Sequence, residues 1–251
     1  MPAAFDVGAE HAAMVERLRA AARPYRGGQH NDSYTGSGRP FFNVGVPERR
    51  RLIRTWLGPR HGAAAAELLA MADRLFGGES HEEKTLGALL LGYSAPARRA
   101  ATPAMVEDWL ARLDGWAEVD SLCASVFGAQ DMIADWTGWR VLVERLGEDP
   151  DIDKRRAALV LLTTPTRTSN DARFAALAFE TIERLKGERD IRVTKALSWL
   201  LRSMAARHAP AVGAYVDENA SLLPAIAVRE TRIKLATGTK SGRPARPAAE
   251  A

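Results

Sequence analysis

A tryptophan and an aspartate lie four residues apart in a stretch whose pattern predicts a helix. The stretch runs from Gly115 to Ser121 and reads GWAEVDS. Because four residues span just over one helical turn, Trp116 and Asp120 share a helix face, with their Cβ atoms about 5–6 Å apart. An indole face beside a carboxylate suits a cationic ring system next to which positive charge develops. The same spacing also fits a core tryptophan beside an aspartate that caps a helix or forms an ion pair.

A later predicted helix surrounds another tryptophan with cations. Trp199 shares one face with Arg192, Lys195 and Arg202, at spacings of i, i+3, i+7 and i+10. The opposite side is apolar and predicts a core, made of Ala196, Leu197, Leu200, Leu201 and Met204. The cationic face indicates either a binding surface or Arg and Lys stems that cover a half-buried indole.

Three cations begin an earlier helix. Lys154, Arg155 and Arg156 stand directly before an apolar run. Cations are unfavourable at a helix N-terminus. The cluster therefore indicates either a solvated first turn or side chains that meet phosphate groups.

Composition favours an anionic partner. The chain has 251 residues, 46% of them hydrophobic, which is enough for a sizeable core. Its formal net charge is +4, most of the positive charge comes from arginine, and nucleic acid is the first partner to consider.

Several functional classes are disfavoured. The single cysteine, Cys123, allows no intrachain disulfide, suits a reducing cytoplasm and is expected to be a buried, inert thiol. No apolar run approaches bilayer length, and the first ten residues lack a secretory pattern. The histidines are scattered, and His81-Glu82-Glu83-Lys84 lacks the second histidine of a zinc-protease motif, so we expect neither metal nor cofactor.

The periodicity predicts an all-α chain. Apolar residues recur at helical spacing between Gly, Pro or Asp/Ser/Asn clusters, and no useful strand alternation is found. The predicted helices are 8–23, 47–57, 62–76, 80–93, 103–113, 116–133, 136–146, 152–163, 169–186, 189–207, 210–219 and 224–236. In the first of them, the predicted apolar stripe is Ala12, Val15, Leu18 and Ala22. Short helices joined by tight turns favour an α-solenoid of antiparallel helix pairs, with a compact bundle as the alternative. We expect one domain over residues 1–237 and a disordered basic tail over 238–251.

Five segments resemble the AlkD-like DNA alkylation-repair glycosylases, from about Tyr34 to about Leu235. The resemblance is carried by YTGS with the later VGVPERR at residues 34–50, by WAEVDS at 116–121, by RRAAL at 155–159, by KALSWLLR at 195–202 and by Arg229-Glu230. Three positions depart from the family pattern. Asn43 stands where glycine is frequent, Asp153 where an aromatic is common, and Ser203 where glutamate is frequent.

The resemblance implies an α-solenoid of HEAT-like repeats whose concave face holds duplex DNA. It also implies hydrolysis of the N-glycosidic bond of N3- or N7-alkylated purines, detected without base flipping. Asp120 would act as the catalytic carboxylate, Trp116 and Trp199 would contact the deoxyribose and the cationic lesion, and Arg156 would hold a phosphate. Arg155, Lys195, Arg192 and Arg202 complete the predicted DNA-binding set.

No lysine adjoins the Trp–Asp pair, so we expect a monofunctional glycosylase that acts as a monomer in the cytoplasm, on nucleoid DNA. Two alternatives stay open. One is a non-catalytic relative that binds branched or distorted DNA, and the other is a protein-interaction scaffold.

Overall fold

The computed structural model describes residues 5–24, 35–60, 62–124 and 126–242. Within these ranges the chain is all-α and contains no strand, as predicted, and its helices form an α-solenoid-type fold. The helices are α1 Val7–Ala21, α2 Val46–Leu57, α3 Ala65–Phe76, α4 His81–Tyr93, α5 Ala95–Ala100, α6 Pro103–Leu110, α7 Trp116–Cys123, α8 Ala129–Ala134, α9 Trp136–Glu148, α10 Ile152–Leu161, α11 Thr163–Thr168, α12 Ala172–Leu185, α13 Ile191–Glu218 and α14 Ala225–Thr237. None of them is both long and apolar enough to cross a bilayer.

Besides shifts of a few residues at several helix ends, the arrangement of the helices differs from the sequence prediction in three respects. The predicted helix 116–133 is two helices, α7 and α8, and α8 starts after the extended residue Gly128. Two short helices, α5 and α11, were not predicted. The predicted helices 189–207 and 210–219 are continuous in α13 except for a kink, where His208 has φ −128° and ψ 34°. Pro210 explains the kink because its ring lacks an N–H and clashes with the preceding turn.

The predicted apolar stripe of α1 is wrong in part. The buried residues of this helix are Met14 and Leu18, whereas Ala12 and Ala22 are exposed. Burying the larger Met14 side chain removes more apolar surface from water than burying alanine does.

The chain divides into two compact units, which we call unit 1 (Met1–Leu142) and unit 2 (Val143–Ala251). The division falls within α9. The prediction of one domain over 1–237 stays a prediction.

In unit 1, α4 packs against α2, α3 and α7, and the core includes the nearly fully buried Trp56, Trp109 and Trp139. In unit 2, the long helix α13 packs against α10, α11, α12 and α14. The α13 core residues predicted from the sequence are all buried.

Helix α14 ends where the tail was predicted to begin. Gly238 caps it with a left-handed backbone, φ 74°. Residues 243–251 of the predicted tail, and residues 25–34 before the first site segment, lie outside the described residues.

Candidate active site

Helix α7, which carries Trp116 and Asp120, begins against the backbone of an earlier loop. Gly115 precedes it with φ +75°. A Cβ atom on Gly115 would lie 2.4 Å from the carbonyl oxygen of Thr35 and 2.5 Å from the carbonyl carbon of Gly36. Only glycine fits here, because the left-handed backbone and the close approach both exclude a side chain. The loop at residues 35–37 is thereby held against the start of α7.

A cavity of about 450 Å³ opens beside α7, and we call it the α7 cavity. Trp116 and Asp120 both line it and are both half-buried. The remaining lining residues come from the 35–41 loop, from α2, from α4 and from α7 itself: Thr35, Phe41, Val46, Arg49, Arg50, His81, Thr85, Ala88, Leu89, Ala117 and Ser121. The structure therefore brings the predicted carboxylate and indole together at an accessible concave surface, of a size that suits a small ligand or part of a larger one.

A polar group centred on a buried carboxylate, the Glu118 cluster, lies next to the cavity. It consists of Glu118, Ser37, Arg39, His81 and the backbone of Asp114. Glu118 is 1% exposed. One carboxylate oxygen accepts a hydrogen bond from the Ser37 hydroxyl (3.0 Å) and lies 3.2 Å from His81 Nδ1. The other accepts from the Asp114 N–H (2.9 Å) and lies 3.4 Å from Arg39 Nε. A buried charge needs such partners, and here they join the loop, α4 and α7.

A second buried carboxylate fixes the loop further along. The two oxygens of Glu82 accept the backbone N–H groups of Phe42 and Val44, each at 3.1 Å. Asn43, between them, has φ 58°, and its amide donates to the carbonyl oxygens of Arg23 and Pro24. Asparagine tolerates the left-handed region better than most residues do. The departure from the family glycine therefore keeps a backbone conformation that glycine also adopts.

Glu83 and Lys84, which follow Glu82 in the same helix, also have structural roles. Burial would raise the pKa of Glu83, but hydrogen bonds from Ser80 and His11 outweigh it and the pKa is lowered. Lys84 donates to the carbonyl oxygen of Phe76, and burial lowers the pKa of Lys84 to about 8. All four side chains from His81 to Lys84 are buried.

Two arginines of α2 reach the α7 cavity, although sequence reasoning gave them no role. Arg49 is buried and donates to the Thr85 hydroxyl, and burial lowers its pKa against the opposing charge of Glu82. Arg50 is exposed at the cavity. His81 and Glu118 were missed as well. The signal that the sequence offered was the position of Glu118, which stands between Trp116 and Asp120.

In unit 2, the cations at the start of α10 have carboxylate and carbonyl partners. Lys154 Nζ lies 3.1 Å from the Asp149 carboxylate, and Arg155 Nε lies 3.0 Å from the Glu188 carboxylate. Arg155 also donates to the carbonyl oxygens of Asp149 and Pro150. The local anions offset the unfavourable position of cations at this terminus.

Arg156, the predicted phosphate contact, is buried. It is 6% exposed, and its guanidinium donates to the carbonyl oxygen of Arg192 at 2.5 Å. The interaction ties α10 to the first turn of α13.

The predicted cationic face of α13 is the solvent-facing side of that helix. Arg192, Trp199 and Arg202 are half-buried, and Lys195 is exposed. A hydrogen bond to Asp190 raises the pKa of Arg192, which also pairs with Asp153 at 3.3 Å. The departure at Asp153 thus supplies a carboxylate to this arginine.

Arg202 is neutralised in a similar way. It lies 3.4 Å from Glu230, and burial lowers its pKa against the effect of that carboxylate. The Ser198 hydroxyl donates to the same carboxylate at 2.7 Å. Ser203, the third departure, is buried. Lys195 forms no ion pair with the described residues and is the most available cation of this face.

The predicted residues therefore fall into two sets, each assembled within its own unit. Unit 1 holds Trp116 and Asp120 at the α7 cavity, and unit 2 holds Trp199 with the five predicted DNA-binding cations. Cys123 is buried, as predicted. In the described ranges, no group of three or more His, Cys, Asp or Glu side chains is placed to hold a metal ion.

Comparisons with known proteins identify the family. The family model described as DNA alkylation repair enzyme matches residues 14–235. A solved structure titled as a predicted DNA alkylation repair enzyme from Enterococcus faecalis has a similar fold, with a TM-score of 0.61 and 18% sequence identity over 80% of this chain and 91% of that chain. No curated protein matches significantly. Because the family model covers most of the sequence and the resemblance of the five segments agrees with it, the chain belongs to the DNA alkylation repair enzyme family.

Proposed function

We propose that this protein is a monofunctional DNA glycosylase that hydrolyses the N-glycosidic bond of cationic N3- or N7-alkylated purines in duplex DNA. The observation that carries the proposal is the placement of Asp120 beside Trp116 at the α7 cavity. A catalytic carboxylate must be accessible, and a half-buried one next to an indole meets that requirement.

The chemistry suits these two side chains. An N3- or N7-alkylated purine carries a formal positive charge and leaves with the electron pair of the glycosidic bond as a neutral base. Positive charge then develops on the deoxyribose. A fixed carboxylate stabilises that charge most strongly in the transition state. The indole of Trp116 contributes cation–π attraction of about 0.5–2 kcal/mol.

The cavity lining also favours hydrolysis over a lyase reaction. A lyase of this kind needs an amine that attacks the sugar carbon, and no lysine is found among the described residues that line the α7 cavity. Arg49 and Arg50 cannot replace it, because a guanidinium stays protonated and is not nucleophilic. Water is therefore the proposed nucleophile, the product is an abasic site, and no cofactor is required.

We assign DNA backbone contacts to both units. In unit 1, the exposed Arg50 is suited to a phosphate next to the lesion. In unit 2, Lys195 is the first candidate, followed by Arg192, Arg202 and Arg155, which must share or exchange their carboxylate partners. Trp199 is the proposed second aromatic contact. Arg156 would act on a phosphate only after a change in its bond to Arg192. The protein acts as a monomer on nucleoid DNA in the cytoplasm.

The decisive experiment measures single-turnover release of 7-methylguanine from a duplex with one lesion. The purified protein, Asp120→Asn and the control Asp108→Asn are compared. Asp108 is an exposed aspartate of α6 that does not line the cavity. Asp120→Asn should slow release at least about 10-fold, the scale of one lost electrostatic contact. It should leave lesion-DNA binding and the melting temperature unchanged.

The other outcomes separate the alternatives. Release by the wild type no faster than spontaneous depurination, together with duplex binding, would indicate a non-catalytic DNA-binding relative. No preference for DNA at all would indicate a protein-interaction scaffold. A lower melting temperature for Asp120→Asn would mean that this carboxylate has a structural role.

A further inference from the structure

A second group at the α7 cavity has the geometry of a base. The His81 ring lines the cavity but is only 4% exposed, and its Nδ1 lies 3.2 Å from Glu118. Within the described residues, no hydrogen bond occupies the other ring nitrogen, Nε2. The helix start holds the residue in place, because its backbone N–H donates to the carbonyl oxygen of Pro40 at 3.0 Å.

The partners of Glu118 determine which ring nitrogen carries the hydrogen. The same carboxylate accepts from the Ser37 hydroxyl and the Asp114 N–H, and Arg39 faces it from the loop. An ionised carboxylate only accepts hydrogen bonds, so Nδ1 must donate to it. In the neutral ring, Nε2 then holds a lone pair on the side away from Glu118. A buried carboxylate that orients an imidazole in this way is a recurring arrangement in catalytic bases.

The proton balance of the proposed reaction requires such a base. The C1′–N bond breaks with its electron pair on the purine, which neutralises the cationic ring, so the leaving base takes up no proton. Water then forms a C1′–O bond and must lose one proton. If Asp120 accepted that proton, it would lose the charge that stabilises the sugar cation.

We propose that His81 is the general base of this reaction, an inference that rests on the proposed glycosylase function. His81 Nε2 takes the proton of the attacking water while Asp120 stays ionised. Glu118 is the positioning residue that keeps the hydrogen on Nδ1. The charged groups around the imidazole are Glu118 and Arg39 on the buried side, and Asp120, Arg49 and Arg50 along the cavity.

The test compares wild type, His81→Asn and His81→Ala in single-turnover release of 7-methylguanine. The asparagine amide can still donate to Glu118 but offers no base. We expect release by both variants to be about 10- to 100-fold slower, at the low end of general-base effects because the cationic purine already leaves readily. Lesion-DNA affinity should be unchanged. Added imidazole should restore release by His81→Ala, because the α7 cavity can admit it, and should leave His81→Asn and Asp120→Asn slow.

The controls separate this inference from the function on which it rests. If the wild type releases base and His81→Asn matches it, or if His81→Ala is slow and imidazole does not restore it, the base assignment is overturned and the glycosylase function stands. If the wild type releases no base, both fall. Should the variants fail to fold, the ratio of the wild-type release rates in H₂O and D₂O tests the base assignment. A clear solvent isotope effect supports proton transfer to a base, and a ratio near 1 overturns it.

Discussion

Helices α7 and α13 each present a half-buried tryptophan beside charged side chains, but the two units treat those charges differently. In unit 1, Glu118 is buried next to the α7 cavity, and the half-buried Asp120 lines that cavity. In unit 2, the cations of the α13 face are mostly paired with carboxylates of the same unit, such as Asp190 with Arg192 and Glu230 with Arg202.

The difference shows that a charged helix face does not by itself define a binding surface. What matters is whether the charge already has a partner elsewhere in the chain. Ion pairs in unit 2 lower the charge that DNA would meet, whereas the partners of the buried Glu118 carboxylate in unit 1 hold the 35–41 loop against α4 and α7. Four changes would break or sharpen this comparison, here taken in order of expected effect.

Gly115→Ala should cost the most. The new Cβ would collide with the backbone of Thr35 and Gly36 at a residue whose φ is +75°. We expect a loss of about 3 kcal/mol or more in the free energy of unfolding, as for other backbone positions that only glycine can occupy. Urea unfolding measures it. Gly38→Ala is the matched control, since a Cβ there meets nothing within 4 Å. Equal stability of the two variants would show that the loop does not hold the start of α7.

Glu118→Gln tests the buried charge of unit 1 against a surface charge of unit 2. It removes the charge that faces Arg39 and His81, and we expect a loss of about 2 kcal/mol in unfolding free energy. Glu188→Gln removes a half-exposed partner of Arg155 and should cost less than about 1 kcal/mol. Urea unfolding of both proteins gives the comparison. A larger loss of unfolding free energy for Glu188→Gln than for Glu118→Gln would contradict the expected order.

Lys84 gives unit 1 a pH dependence. Its pKa in the folded protein is about 8, below the ordinary 10.5, because burial disfavours the charged form. Between pH 8 and pH 10.5 the unfolded chain binds more protons than the folded protein does. The free energy of unfolding should therefore rise with pH in this window, by about 1–2 kcal/mol. The loss of stability caused by burying the charged lysine is fully present below pH 8. Lys84→Met should lack this rise. Urea unfolding from pH 7 to 10 measures both, and parallel curves for the two proteins would contradict the assignment.

Lys195→Ala should have the smallest effect, and it tests the pairing in unit 2. Lys195 is exposed and forms no ion pair in the part of the chain that the structure describes. A cation that contacts a phosphate releases counterions, so its loss should lower duplex affinity a few-fold and reduce the salt slope by about 1. Arg202→Ala should change the slope less, because Glu230 already neutralises this arginine. Fluorescence anisotropy over a salt series measures both variants. A larger change for Arg202→Ala would mean that its ion pair opens on DNA.

The sequence was sufficient for the fold class and for the neighbouring placement of Trp116 and Asp120. Helical periodicity is a local property, so Asp120 one turn beyond Trp116 had to share its face. The same argument separated the α13 core from its charged side, as the complete burial of Leu197 and Leu201 confirms. Periodicity did not reveal the short helices α5 and α11, because six residues contain less than two helical turns.

The supporting residues of the site could not be predicted in the same way. Glu118 is held by Ser37 and Arg39, about eighty positions earlier in the chain, and such pairs leave no periodic trace. Arg49 and Arg50 reach the cavity only because α2 packs against α4. The neutralisation of Arg192 by Asp153 depends on the packing of α10 against α13 and was equally hidden.

The kink at His208 divides α13 into two segments that can open separately. Pro210 supplies no amide hydrogen, so the carbonyl group of Ala206 lacks the donor that a continuous helix would offer it four residues later. The loss of the turns around Tyr215 therefore need not break the hydrogen bonds around Trp199. Amide hydrogen exchange should record this as two protection levels within one helix, with slower exchange from Ala196 to Met204 than from Val212 to Val216.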